Sequence, residues 1–232
     1  SSTRLGARCF SLEWLELGEL DRARSQLVSL IESNPKGAVG PLRSLRELEI
    51  RAGDFNAAGE AARRLAAITS RENPEADEDR IQELGIRTEI ARQRAEAGEH
   101  RAAIGMLRKL IREAPNYVPA RMLLTTIVGP EDTAAAREVL LDGFRLTGEC
   151  ALLDALVEED LRAEKPEEAI STLRGLAATR EHEASVRLAL GRLYLRVEMI
   201  DEAAEQFSML ADLFDAPPLL SVYRNSRCQS PV

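Results

Sequence analysis

The segment 183–210, EASVRLALGRLYLRVEMIDEAAEQFSML, decides the fold of this chain. It contains two stretches in which large apolar residues return every three or four positions, the spacing of a helix with one buried face. A small residue, Gly191 in the first stretch and Ala203 in the second, allows the two helices to approach closely. We expect Tyr194 to pack in the core against the next helix. The segment therefore predicts a packed pair of helices.

The same pattern recurs along the whole chain. Each time, a turn is followed by a small residue that opens a second amphipathic helix. These anchor alanines are Ala23, Ala58, Ala103, Ala135, Ala169 and Ala203. The steps between them are 35, 45, 32, 34 and 34 residues, so four of the five lie near 34. A fixed period of this length is typical of helical repeat proteins, in which each pair buries its apolar face against its neighbours.

Apolar residues follow five of the anchors at the fourth and seventh positions, which lie on one face of a helix. They are Leu27 and Leu30, Ala62 and Leu65, Leu107 and Leu110, Leu173 and Leu176, and Phe207 and Leu210. This face predicts the side of each second helix that packs in the core.

The last repeat resembles the tetratricopeptide repeat family through Leu190, Gly191 and Tyr194 in its first helix and Ala203 and Phe207 in its second. Two prolines follow their anchors by twelve residues, which is the position where the family places its inter-repeat proline. They are Pro35 and Pro115. The resemblance implies an all-α fold, a right-handed superhelical solenoid of about six helix pairs. Three repeats depart from the pattern, with Arg46, Leu123 and Val157 where the first helix should carry its small residue.

Two segments interrupt or end the predicted array, which spans residues 1–216. The 45-residue step contains Ser70 to Arg80, SRENPEADEDR, where Pro74 and a cluster of acids predict an inserted loop, either solvated or a docking loop. Residues 217–232 begin with two prolines, have no helical period after them and predict a non-helical tail.

Composition limits the classes of function. The chain has a formal net charge of −8, which argues against a nucleic-acid partner, since such proteins present a basic face. No apolar run is long enough to span a membrane. Three widely spaced cysteines, Cys9, Cys150 and Cys228, do not suit a disulfide framework and favour a reducing, cytoplasmic location.

The sequence contains no motif typical of an enzyme, cofactor site or metal site, so we expect none of these. It has no Gly-rich phosphate loop, nucleophile elbow or HExxH helix. The two histidines, His100 and His182, stand in polar turns, where a structural or solvated role is expected. Adjacent carboxylates such as Glu158 and Glu159 diverge by about 100° on a helix and would not share a proton. Trp14 is expected to pack in the core.

In the tetratricopeptide family the concave groove, lined by the first helix of each repeat, binds the partner. The resemblance implies that this groove contains Arg43, Glu47, Arg51, Arg92, Arg162, Arg192 and Arg196. A basic groove in an acidic protein favours a protein or peptide partner with carboxylates, such as an acidic peptide or a free C-terminus. The alternative is that these residues only reflect the abundance of arginine.

The tail carries a second resemblance, to the lipopolysaccharide assembly protein B family of bacterial repeat proteins. Members have a membrane anchor before the repeats and a rubredoxin-like knuckle after them that opens with Tyr-Arg-Cys-x-x-Cys. Here Tyr223 and Arg224 precede Cys228, but Asn225 replaces the first cysteine and the second pair is missing, so no metal site is expected. The resemblance implies a location at the cytoplasmic face of the inner membrane, through an anchor that is not in this sequence.

Three functions remain open. The first is a scaffold or adaptor that holds a client protein in its groove. The second is its specific version, a regulator of lipopolysaccharide synthesis. The third is self-assembly into an oligomer through an apolar end, since the last helix carries Phe207, Met209, Leu210, Leu213 and Phe214. A tail that folds over that helix with Leu219, Leu220, Val222 and Tyr223 is the competing explanation for the apolar end.

Overall fold

The computed structural model describes residues 20–69 and 75–215, and this part of the chain contains eleven α-helices and no strand. The all-α class, built from tetratricopeptide-type helix pairs, is confirmed. The helices are α1 (Leu20–Ser33), α2 (Val39–Ala52), α3 (Phe55–Ile68), α4 (Ala76–Glu96), α5 (His100–Glu113), α6 (Val118–Val128), α7 (Thr133–Thr147), α8 (Cys150–Arg162), α9 (Pro166–Thr179), α10 (Glu183–Arg196) and α11 (Ile200–Asp215). A single 3-10 turn, Pro35–Gly37, separates α1 from α2.

The helices follow the predicted order of pairs. α1 takes the position of the second helix of repeat one, and α2 to α11 take the positions predicted for the helices of repeats two to six. The segment predicted for the first helix of repeat one, with Trp14, lies outside the described residues, as does the predicted tail. The buried anchors Ala23, Ala58 and Ala203 confirm that close packing begins at these positions.

The chain comprises two compact units with their boundary between Met106 and Leu107, inside α5. In the first unit, α1 packs on α2, α2 on α3 and α3 on α4. In the second, α8 contacts α7, α9 and α10, and α10 contacts α11. The larger core of the second unit is centred on Phe144, Leu152, Leu156, Leu173, Leu190 and Tyr194.

The anchor of repeat four is Ala136, whereas the sequence pattern predicts Ala135. Asp132 caps α7 by accepting a hydrogen bond from the backbone N–H of Ala135, as Asp54 caps α3 with Ala57. Because the two caps are equivalent, the residue that corresponds to Ala58 follows Ala135. Ala136 is fully buried, whereas Ala135 is only partly buried.

The prediction that Leu30 faces the core is also wrong. Leu30 is exposed, and Ile31 is buried in its place together with Leu27. The residues of α1 that do pack inward follow one another at intervals of four, from Ala23 through Leu27 to Ile31. A spacing of four keeps side chains on one side of a short helix, so the buried stripe does not reach Leu30.

The prediction of a loop from Ser70 to Arg80 is wrong from Ala76 onward, because α4 begins there, and residues 70–74 lie outside the described residues. Three acids in the first turn of α4, Asp77, Glu78 and Asp79, interact favourably with the positive end of the helix dipole. The acidic cluster therefore belongs to a helix N-terminus. α4 is also the longest described helix, with 21 residues, and accounts for part of the 45-residue step.

The small residue of repeat six has the predicted close contact. A side chain at Gly191 would place its Cβ 2.7 Å from the ring of Phe207, so α10 and α11 approach through the glycine. Tyr194 is buried in the core, as expected, and its hydroxyl accepts a hydrogen bond of 2.7 Å from Arg174 Nε.

Cys150 is the first residue of α8 and is disulfide-bonded. This corrects the expectation drawn from the number and spacing of the cysteines. The other two cysteines, Cys9 and Cys228, lie outside the described residues.

Candidate interaction surfaces

Arg43, one of the predicted groove residues, belongs to an ion-pair cluster between α2 and α4. Its guanidinium donates to both carboxylate oxygens of Asp79, at 2.6 to 3.1 Å, and also pairs with Glu75. Arg46, buried on the same helix, donates to Asp79 Oδ1 at 2.8 Å. Only 15% of the Arg43 side chain is exposed, so its guanidinium is largely inaccessible to a partner. The cluster instead stabilises the first unit.

The electrostatics of Asp79 follow from its two arginines. Burial raises the pKa of Asp79, but the hydrogen bonds from Arg43 and Arg46 outweigh burial, and the net shift of this pKa is downward. A carboxyl group with a depressed folded pKa stabilises the fold above its unfolded pKa and loses this contribution as pH falls.

Replacing Asp79 tests this cluster. We expect Asp79→Asn to lower the free energy of unfolding at pH 7 by about 2 kcal/mol, because charge-assisted bonds to two arginines are lost. The difference between wild type and variant should shrink below about pH 4, where the wild-type carboxyl is protonated in the unfolded chain and then in the folded one. Urea unfolding at pH 7, 5 and 3 measures it. If the difference in the free energy of unfolding between wild type and variant stays constant from pH 7 to pH 3, the electrostatic explanation is wrong.

The other predicted groove residues of the first unit are exposed on their helices. Arg51 pairs with Glu47 one turn away at 3.4 Å, and both side chains are at least half exposed. Arg92 donates to Glu89 at 3.0 Å and is half exposed. Exposed pairs of this kind are worth about 0–1 kcal/mol and open easily, so these charges remain accessible to a partner.

In the second unit, two predicted groove residues form a row of ion pairs between neighbouring first helices. Arg196 on α10 pairs with Glu158 on α8, and Arg192 lies one turn before it, 3.9 Å from a carboxylate oxygen of Asp154. All four side chains are about half exposed. Arg162 follows Glu158 by one turn on α8 and is two-thirds exposed. We call Asp154, Glu158, Arg162, Arg192 and Arg196 the charged row.

The two pairs of the charged row differ in strength. The hydrogen bond from Arg196 lowers the pKa of Glu158, so this carboxylate is held in its charged form. Burial instead raises the pKa of Asp154, although the nearby Arg192 lowers it in part. Because the nearest carboxylate oxygen of Asp154 lies 3.9 Å away, beyond hydrogen-bond distance, Arg192 is held less firmly than Arg196.

Adjacent carboxylates diverge as predicted. Glu158 pairs with Arg196 on α10, whereas Glu159 accepts a 2.6 Å hydrogen bond from Arg162 on its own helix. His182 packs edge-on against the ring of Phe144, with centroids 5.4 Å apart, and its Nε2 lies 3.4 Å from the carbonyl oxygen of Arg145. This contact gives His182 a structural role.

An ion pair with a buried carboxylate, which the sequence pattern did not predict, occurs twice, between a second helix and the first helix that follows. Arg24 donates to Glu49 at 2.6 and 2.8 Å, and Arg137 pairs with Asp160. Each arginine comes one residue after an anchor, Ala23 or Ala136, and each carboxylate lies nine residues before the next anchor. In repeat six that position is Tyr194. This shared spacing from the anchors could have revealed the ion pairs in the sequence. It is recognisable only when Ala136, rather than Ala135, is taken as the anchor of repeat four.

Residues 20–69 and 75–215 contain no group of three or more His, Cys, Asp or Glu placed to hold a metal ion. Within the same ranges, no helix combines the length and apolar character needed to cross a membrane. A shallow depression of about 410 Å³ is lined by Ala134, Arg137, Glu138, Leu141, Asp142, Arg145 and Glu168. It is open to solvent, and Arg137 is already engaged by Asp160.

Three solved structures are similar to this chain over most of its length. PilF of Pseudomonas aeruginosa is 16% identical, with 96% of this chain and 97% of that chain covered at a TM-score of 0.45. PilW, described as a widely conserved type IV pilus biogenesis factor, is 12% identical, with 97% and 100% covered at 0.41. A thermophilic TPR protein of Thermus thermophilus is 18% identical, with 83% and 99% covered at 0.38. No protein-family model and no curated protein matches the sequence. Similarity at this level concerns the fold and carries no argument about function.

Proposed function

We propose that this chain is a non-catalytic scaffold that holds a client protein, and that the charged row of the second unit is part of its binding surface. The observation that carries the proposal is the row itself: two neighbouring first helices present half-exposed arginines and carboxylates in register. In repeat proteins, the first helices supply the extended surface that binds partners.

The client segment that fits this row best is one with carboxylates. A carboxylate from a client can replace Asp154 on Arg192 at small cost, because the existing contact is long, at 3.9 Å. Arg162 can contribute a second cation, since its pair with Glu159 is local and the guanidinium is two-thirds exposed. Bidentate hydrogen bonds from arginine would then fix the orientation of the segment. Arg51 and Arg92 are candidates for the same role in the first unit, whereas Arg43 contributes through its internal cluster.

Charge reversal on α10 tests the proposal. We expect Arg192→Glu/Arg196→Glu to reduce client recovery from a lysate of the source organism at least tenfold, because two attractive contacts become repulsive. Immobilised wild-type and variant proteins are compared by quantitative mass spectrometry. The matched control is Arg145→Glu/Lys165→Glu, which changes the net charge equally at exposed positions outside the charged row.

The outcome separates three cases. Clients lost from the α10 variant but retained by the control support the charged row. If both variants recover the wild-type set of clients, the row is not the binding surface. Clients lost equally from both variants would indicate that net charge, rather than these residues, governs binding.

A regulator of bacterial lipopolysaccharide synthesis is the specific form of this proposal. Its support is the sequence resemblance of the tail from Tyr223 to Cys228, which lies outside the described residues. It would place the protein at the cytoplasmic face of the inner membrane, with a membrane protease and a biosynthetic enzyme as clients. Recovery of such a pair in the capture experiment supports this form, and its consistent absence argues for another client.

A further inference from the structure

The last described helix, α11, is less covered than the equivalent helix of the preceding repeat. When α9 and α11 are aligned on their anchor alanines, Phe207 corresponds to Leu173 and Leu210 to Leu176. Leu173 and Leu176 are buried, since α10 packs on α9. Phe207 and Leu210 are only partly buried. The side of α11 on which another first helix would pack is therefore open within the described chain.

The first helix of repeat six shows the same difference. Leu195 on α10 corresponds to Leu161 on α8, which is partly buried and packs against the core of the second unit. Leu195 is 47% exposed. Leu195, Phe207 and Leu210 together form what we call the terminal face. In a helical repeat, apolar residues at these positions normally pack against a further element.

The charged side chains of α11 are all acidic. α11 carries the acids Asp201, Glu202, Glu205 and Asp212, and residues 200–214 contain no lysine or arginine. A segment that covers the face should therefore combine apolar residues with positive charge.

Residues 217–232, PPLLSVYRNSRCQSPV, have this composition. They contain the apolar group Leu219, Leu220, Val222 and Tyr223, then Arg224 and Arg227, and no acid. The segment follows α11 directly along the chain, and a short tether of this kind gives an effective concentration in the millimolar range. Sixteen extended residues can reach about 50 Å, more than the length of about 24 Å of a 16-residue helix.

We propose that residues 217–232 bind the terminal face as a C-terminal cap. Leu219, Leu220 and neighbouring apolar residues cover Leu195, Phe207 and Leu210, and the two arginines pair with the carboxylates of α11. The cap occupies the surface on which a second copy would stack, and it keeps the chain monomeric. The proposal stands independently of the charged row and of any client.

Variants of the full chain test the cap. We expect Leu219→Asp/Leu220→Asp to raise amide hydrogen exchange in residues 200–215 at least tenfold, or to cause concentration-dependent self-association measured by light scattering. The control, Gln229→Asp/Ser230→Asp, adds the same charge to the same segment and should behave like wild type. Exchange in α1 to α3 should be unchanged in both variants.

A charge-swap experiment identifies where the tail binds. Arg224→Glu/Arg227→Glu should release the cap with the same readouts, and adding Glu205→Arg/Asp212→Arg should restore protection of α11. The proposal is overturned if the tail variants leave both the exchange and the molar mass at wild-type values. It is also overturned if the wild-type chain is a dimer whose α11 remains protected in every tail variant, because the terminal face would then be an interface between copies.

Discussion

Replacing Asp160 with alanine should lower the free energy of unfolding by about 3–5 kcal/mol, the cost of leaving one partner of a buried ion pair alone. Asp160 has 2% of its side chain exposed, and its partner Arg137 has 18%. Arg137 also donates to Thr172 Oγ1 at 2.8 Å, so it joins three helices, α7, α8 and α9. Without the carboxylate, the guanidinium would remain largely buried without its ion-pair partner. Urea unfolding monitored by circular dichroism measures the loss.

Two further variants separate the buried pair from ion pairs in general. Asp142→Ala removes an exposed pair with Arg145, at 3.6 Å and with both side chains more than half exposed, and should cost at most about 0.5 kcal/mol. Arg137→Met/Asp160→Leu replaces both buried charges with apolar side chains and should recover most of the stability that Asp160→Ala loses. If Asp160→Ala lowers the free energy of unfolding by no more than Asp142→Ala does, the pair of Arg137 and Asp160 does not hold α7, α8 and α9 together.

The position of Asp160 shows how far the sequence could predict this protein. Helix pairs were predictable because the anchors and apolar residues are local, periodic signals, and Gly191 and Tyr194 confirm them in detail. Asp160 occupies in repeat five the position that Tyr194 occupies in repeat six. From the sequence alone, a carboxylate at this position is expected at the surface. Its burial depends on an arginine 23 residues away, so packing has to be known first.

The candidate site was harder to predict for the same reason. Helical periodicity places Arg43 on a first helix, but it does not show that Asp79, 36 residues away, neutralises it. That contact depends on where α4 begins, and the acidic segment alone was compatible with a loop. Likewise, the register that brings Arg192 and Arg196 opposite Asp154 and Glu158 is set by the packing of α10 on α8.

The second large effect is expected at Gly143, where α7 comes closest to its neighbours. A Cβ at this position would lie 2.6 Å from Arg121 Cδ and 3.0 Å from Leu152 Cδ1. Both neighbours are buried, and Arg121 is held by the carbonyl oxygens of Pro115 and Val139, each at 3.3 Å. The arginine therefore cannot move aside without losing its hydrogen bonds. We expect Gly143→Ala to lower the free energy of unfolding by about 2 kcal/mol, as for overpacking of a core.

A second helical glycine in the same unit provides the control. A Cβ added to Gly175, inside α9, would have no atom within 4 Å, so Gly175→Ala should meet no steric resistance. Alanine is the better helix former by about 1 kcal/mol, and this variant should be more stable than wild type. The same helical gain applies at Gly143, so the difference between the two variants isolates the cost of the close contact. If both alanine variants are stabilised, α7 can shift away from α6 and α8, and the approach at Gly143 is not required for the packing of the second unit.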